Sequence, residues 1–197
     1  MKIKVEPTFV KTHYTNINHQ MTAEAKIESI LELVEMVFNS NELGDFILYH
    51  GYYVKPWFRK RRWVQGFKQT KNTNYWHWTN FMGGGERNSH EDNIWQVRLN
   101  IYYRKDNVKG FTNPPSPFIN SNSYYFDILN MYNYDITAIT EFVENLTHEY
   151  CHLVGMHHSF WWKKWQWNDT APYAIGRKAA EIAEAFIMTN EWELREW

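Results

Sequence analysis

The sequence predicts an α+β fold, with strands early in the chain, one long amphipathic helix past its middle, and a closing helix near its end. Two periodicities carry that reading. Residues 94–103 alternate Trp95, Val97, Leu99, Ile101 and Tyr103 with Gln96, Arg98, Asn100 and Tyr102, the period of two expected of a half-buried strand. Over about 136–154, Ile139, Phe142, Val143, Leu146, Tyr150 and Leu153 recur at helical spacing and form one apolar stripe. The expected architecture is a twisted mixed sheet packed on an N-terminal helix and on this second helix, with a C-terminal helix completing it.

In chain order, residues 2–11 read as a first strand, ending near Pro7 or a little beyond. Thr22 is a candidate N-cap for a helix over about 23–39, whose Ile27, Ile30, Leu31, Val34, Val37 and Phe38 share one face. Asn39-Ser40-Asn41 should end it, and Phe46-Ile47-Leu48-Tyr49 reads as a short strand. After the strand at 94–103, Thr112 to Pro117 forms a proline-rich loop. A strand-like piece follows at about 117–126; its leading proline and internal Asn and Ser fit a sheet edge. Asp135 is a candidate N-cap for the helix at 136–154. The last helix, about 171–190, has Pro172 in its first turn and buries Ile175, Ala179, Ile182, Ala183, Phe186 and Ile187.

A chain of 197 residues suggests one domain, 1–197, long enough to bury a real core. Hydrophobic residues at 44% and charged residues at 22% are ordinary for a soluble protein. The net charge of −1 gives no global electrostatic case for nucleic acid or a membrane surface. A single cysteine, Cys151, excludes an internal disulfide framework, suits a reducing compartment, and is expected to be a small core residue. The N-terminal residues lack the apolar run of a signal peptide, and no stretch approaches the roughly 20 apolar residues of a membrane span. A cytoplasmic location is expected.

The most specific feature lies at 148–158, His-Glu-Tyr-Cys-His-Leu-Val-Gly-Met-His-His, an HExxHxxGxxH pattern. His148 and His152 stand four residues apart, so their imidazoles leave one helix face a turn apart, where a single zinc ion can bridge them. Glu149 can reach a water on the metal rather than the metal itself. Gly155 can take the positive φ that ends a helix and turns the chain back, delivering His158 as a third nitrogen ligand. His157, its neighbour, is the rival for that role. Three neutral imidazoles leave a fourth position for water, which separates a catalytic zinc site from a structural one. Glu149 would then be the general base that takes the water's proton and passes it to the leaving group. His13, His19, His50, His77 and His90 have no partner spacing and read as surface or core histidines.

From His148 to His158 the chain resembles the metzincin clan of zinc peptidases. The stretch from about 118 to 176 is similar to metallopeptidases encoded by phages and bacteria, in which an Asn-containing strand precedes the motif helix and a Pro-Tyr-x-x-Gly segment follows it. Here these are Ile119-Asn120 and Pro172-Tyr173-Ala174-Ile175-Gly176. The resemblance implies a zincin-like fold, zinc held by His148, His152 and His158, Glu149 as base, and a peptide or protein substrate. It also admits a host cytoplasm as the location, if the chain is phage-encoded. Metzincins carry a methionine in a tight turn beneath the zinc; the only later methionine here is Met188, which falls inside the expected last helix. Tyr173 is a candidate hydrogen-bond donor to a developing oxyanion, or a buried aromatic at a helix start.

Two aromatic–basic stretches remain. Lys55-Pro56-Trp57-Phe58-Arg59-Lys60-Arg61-Arg62-Trp63, continuing to Lys68 and Lys71, interleaves rings and cations as a strand of nucleic acid would require, or forms a solvated loop. Phe160-Trp161-Trp162-Lys163-Lys164-Trp165-Gln166-Trp167 reads as a substrate wall or lid, or as indoles packed on the last helix. Gly83-Gly84-Gly85 lacks the Lys-Ser/Thr of a phosphate loop and reads as a turn. Beside the zinc hydrolase stand two alternatives: a catalytically idle scaffold that binds a partner, and a protease acting on nucleic-acid-bound proteins.

Overall fold

A computed structural model of the chain describes residues 2–50, 71–84, 92–113, 116–156 and 170–195. The basic stretch up to residue 70, Gly85, His90, His157, His158 and the Trp-rich run at 160–167 lie outside the described residues. The elements are β1 (Lys4–Lys11), α1 (Ile17–Phe38), α2 (Asn41–Tyr49), α3 (Lys71–Met82), β2 (Ile94–Tyr102), β3 (Gly110–Thr112), β4 (Phe118–Asn122), a 3₁₀ turn at Ile128–Asn130, α4 (Ile136–Leu153) and α5 (Ala171–Met188). They build a mixed α/β structure on one four-stranded sheet of order β1-β2-β4-β3, in which β1, β2 and β4 run parallel and β3 is the antiparallel edge. Among the described residues no helix is long and apolar enough to cross a membrane.

The alternation in β2 places Trp95, Val97, Leu99 and Ile101 in the core, as a strand paired on both sides requires. β1 tolerates Pro7 because it is an edge, and its register slips between Pro7 and Phe9, where the ladder lacks a donor. Thr8, left over by the slip, donates its hydroxyl to Val97 O at 3.1 Å.

Four local expectations are corrected. Helix α1 begins at Ile17 rather than 23, because the Asn16 side chain accepts from the amides of Asn18 and His19; Thr22 lies inside it. These early turns carry no apolar stripe, since Ile17 and Met21 point to solvent. Phe46–Tyr49 is helical: Ser40 caps α2 by accepting from Leu43 N at 3.1 Å, and a capped nucleus outweighs a four-residue apolar run. The strand near 117–126 is not an edge, because β3 pairs outside it. Its polar residues are satisfied internally: Asn100 Nδ2 donates to Asn120 Oδ1 at 2.9 Å, and Asn120 Nδ2 to Phe111 O at 3.3 Å. Asp135 does occupy the N-cap position of α4, but its carboxylate accepts from Tyr132 N at 3.0 Å and makes no cap bond.

The motif helix is held from behind. Ile139, Phe142, Val143, Leu146, Tyr150 and Leu153 are all buried. Tyr150 meets Trp95, Phe81 and Phe38 at ring-centroid distances of 4.4, 5.0 and 5.3 Å, and its hydroxyl donates to Phe81 O at 2.6 Å. Such aromatic pairs add about 0.5–1.5 kcal/mol each beyond the area they bury. On the approach to α4, the buried Lys26 of α1 donates to Leu129 O and Met131 O at 2.8 and 2.7 Å, fixing the 3₁₀ turn that precedes the helix.

His77, on α3, is a core histidine, 5% exposed, and burial pulls its pKa down to about 4. The unfolded chain therefore takes up a proton near pH 6.5 that the folded chain refuses until about pH 4, so this group makes stability fall as pH falls through that window. The full loss is about 3 kcal/mol. Between pH 7 and pH 4, urea titrations should show the wild type losing about 3 kcal/mol more stability than the His77→Gln protein.

Candidate metal centre

The last turn of α4 is built by hydrogen bonding that a left-handed residue, here glycine, allows. Gly155 has φ +92°, its N–H reaches His152 O at 3.1 Å, and Met156 N reaches Cys151 O at 2.8 Å. These are the paired bonds of a Schellman cap, so Gly155 ends the helix and turns the chain as its sequence position requires. The turn also orients a histidine: His152 Nδ1 lies 2.9 Å from Met156 O. A carbonyl can only accept, so Nδ1 carries the proton and the lone pair sits on Nε2. Donation from the far ring nitrogen to a carbonyl is how metal-binding imidazoles are usually held.

His148 and His152 are both partly exposed, and their rings lie 5.0 Å apart at 77°. Two imidazoles sharing a tetrahedral zinc through nitrogens at about 2.0–2.1 Å would place their ring centres about 5 Å apart. The pair as it stands matches that spacing. His157 and His158 are outside the described residues, and among the described residues no group of three or more His, Cys, Asp or Glu gathers to hold a metal.

Glu149 lies between the two histidines in sequence and is 5% exposed. Burial raises its pKa to about 7, a rise partly offset by the nearby hydroxyl and amide of Thr112. Neither Glu149 Oε2 nor Thr112 Oγ1 makes a hydrogen bond of normal geometry among the described residues, although both are buried. A buried carboxylate oxygen without a partner is rare in a purely structural role. Together with the paired imidazoles, one of them oriented through Met156 O, it fits a site that takes up a metal ion and its water.

Tyr173 joins this group through close helix packing. On α5, a Cβ at Gly176 would stand 3.0 Å from Glu144 O and 3.4 Å from His148 Cβ, so glycine lets α5 press on α4 at the level of His148. One turn earlier, Pro172 starts the helix and Tyr173 sets its ring edge-to-face on His148, with centroids 4.4 Å apart. Burial first, then the negative charges of Glu149 and Glu144, raise the Tyr173 pKa, keeping the phenol a proton donor. His148, Glu149, His152 and Tyr173 are thus brought together.

Asn145, which helical spacing puts on the same side of the helix as His148 and His152, and Thr112, which the sequence left in a loop, are neighbours of this group. Asn145, one turn before Glu149, donates to Ser121 Oγ at 3.0 Å and sits under Gly110, where a Cβ would fall 2.6 Å from its Oδ1. Glu141, on the same face, is paired with Lys109 at 2.7 Å. Cys151 is buried and free, and burial raises its thiol pKa, as a core residue requires. No protein-family model, curated protein or solved structure matches the chain.

Proposed function

We propose that this chain is a zinc-dependent hydrolase of zincin-like fold, and that it acts on peptide bonds. The observation that carries the reading is the buried Glu149 carboxyl set beside two imidazoles whose spacing suits one metal ion. His148 and His152 would hold the zinc, with His158 as third ligand by its spacing in the sequence. When bound, zinc supplies a Lewis acid that makes water acidic near neutral pH and polarises a carbonyl.

The residues then divide the work. Glu149, with a pKa of about 7, accepts a proton from water at one carboxylate oxygen and returns it to the leaving amine. The Tyr173 hydroxyl donates to charge developing on the substrate oxygen. Tyr150, locked into the core, keeps the backbone of the motif from shifting as the proton moves.

Support for the zincin-like plan comes from the antiparallel edge strand β3 lying along the motif helix, where an extended substrate can add a strand. Met188 ends α5 with its side chain exposed, so no methionine turn is drawn from it, and the reading is metzincin-like rather than metzincin proper. The test is a peptide library incubated with zinc-loaded protein and read by mass spectrometry. Cleavage that stops with 1,10-phenanthroline and returns with zinc is expected. Bound zinc without cleavage would leave an idle scaffold.

A further inference from the structure

We propose that Thr112 is the positioning residue for Glu149, holding one carboxylate oxygen so that the other is directed to the reacting water. The two periodicities place them face to face. Gly110 meets Asn145, and Thr112 and Glu149 are the next residues along on the same faces of strand and helix. Two strand residues advance about 6.8 Å and four helix residues about 6 Å, so the second pair stays in step with the first. Thr112 Oγ1 and Glu149 Oε2 are both buried and lack partners among the described residues. Hydrogen bonds at such sites are commonly long before substrate arrives and tighten in the working complex. The Thr112 amide lies near enough to the carboxyl to favour its charged form as well. β3 cannot drift away, because Asn145 ties β4 to α4 beneath Gly110 and Thr112 is in register with Ile119.

The kinetic consequence rests on the hydrolase reading; the contact itself does not, and the test separates them. A thermal double-mutant cycle on the metal-free full chain compares Thr112→Val with and without Glu149→Ala. Thr112→Val should lower Tm by about 2–4 °C beside Glu149 and have little effect when Glu149→Ala is present. An equal drop in both backgrounds would overturn the contact. On a quenched fluorescent peptide cleaved by the zinc-loaded wild type, Thr112→Val should lower kcat about tenfold with KM and zinc content unchanged, and Thr112→Ser should restore it. A fall that Ser does not rescue, or a change in KM alone, would overturn the positioning role. An inactive wild type would defeat the hydrolase reading while the Tm cycle still decides whether Thr112 holds Glu149.

Discussion

Glu149→Gln should leave zinc binding intact and lower turnover by about 10²–10⁴, the contribution typical of a positioned general base. Gln keeps the shape and the hydrogen-bonding reach of Glu but cannot accept and return a proton. The same substitution should stabilise the metal-free protein above neutral pH. With a folded-state pKa of about 7 against an ordinary 4.5, Glu149 costs nothing below about pH 4.5, and its penalty grows as pH rises to 7. The full penalty is about 3 kcal/mol. A buried group that destabilises the fold where it would be active is a mark of function. Thermal melts at pH 4.5 and pH 8 check this: the variant gains at the higher pH only. His77 loses stability in the opposite direction over pH 6.5 to 4, so the two effects largely cancel in the wild type and show clearly only in the single variants.

His152→Ala should reduce zinc affinity by more than the 10–100-fold typical of losing an outer-shell partner, because it removes a ligand and the carbonyl-oriented ring together. In the wild type, zinc at a hundred times its Kd adds about 2.7 kcal/mol of stability, and a zinc-dependent rise in Tm of several degrees should follow. The variant should lose that rise while its metal-free Tm stays near the wild-type value, since His152 is partly exposed and its bond to Met156 O lies within its own turn. Thermal shift with and without zinc measures both. A zinc-dependent rise that persists in the variant would place the metal elsewhere.

What the sequence made legible was local. The stripe of α4, the alternation of β2 and the positive φ of Gly155 each depend on a few neighbouring residues, and each stands as expected. So do Pro172 in the first turn of α5 and Cys151 in the core. Phe46–Tyr49 misled because four apolar residues fit a strand and a helix equally, and the Ser40 cap decided between them. α3 offered no apolar stripe, only Asn, Thr and scattered rings, so nothing in the sequence announced a helix there. The edge strand β3 is three residues long and exists through its pairing with β4, a contact no local pattern encodes. The same holds for the site: Asn145, His148, Glu149 and His152 are neighbours in one helix, whereas Thr112 enters only once β3 is laid against α4. Tyr173 was legible through the Pro-Tyr-x-x-Gly segment, and the reason it reaches His148 is the close approach at Gly176.

Zinc K-edge X-ray absorption on the purified, zinc-loaded wild-type chain tests the central claim most directly. One zinc per chain in a four-coordinate shell of nitrogen and oxygen donors, with Zn–N near about 2.0–2.1 Å, is the expected result. A zinc-free protein, or a shell containing sulfur, would contradict it.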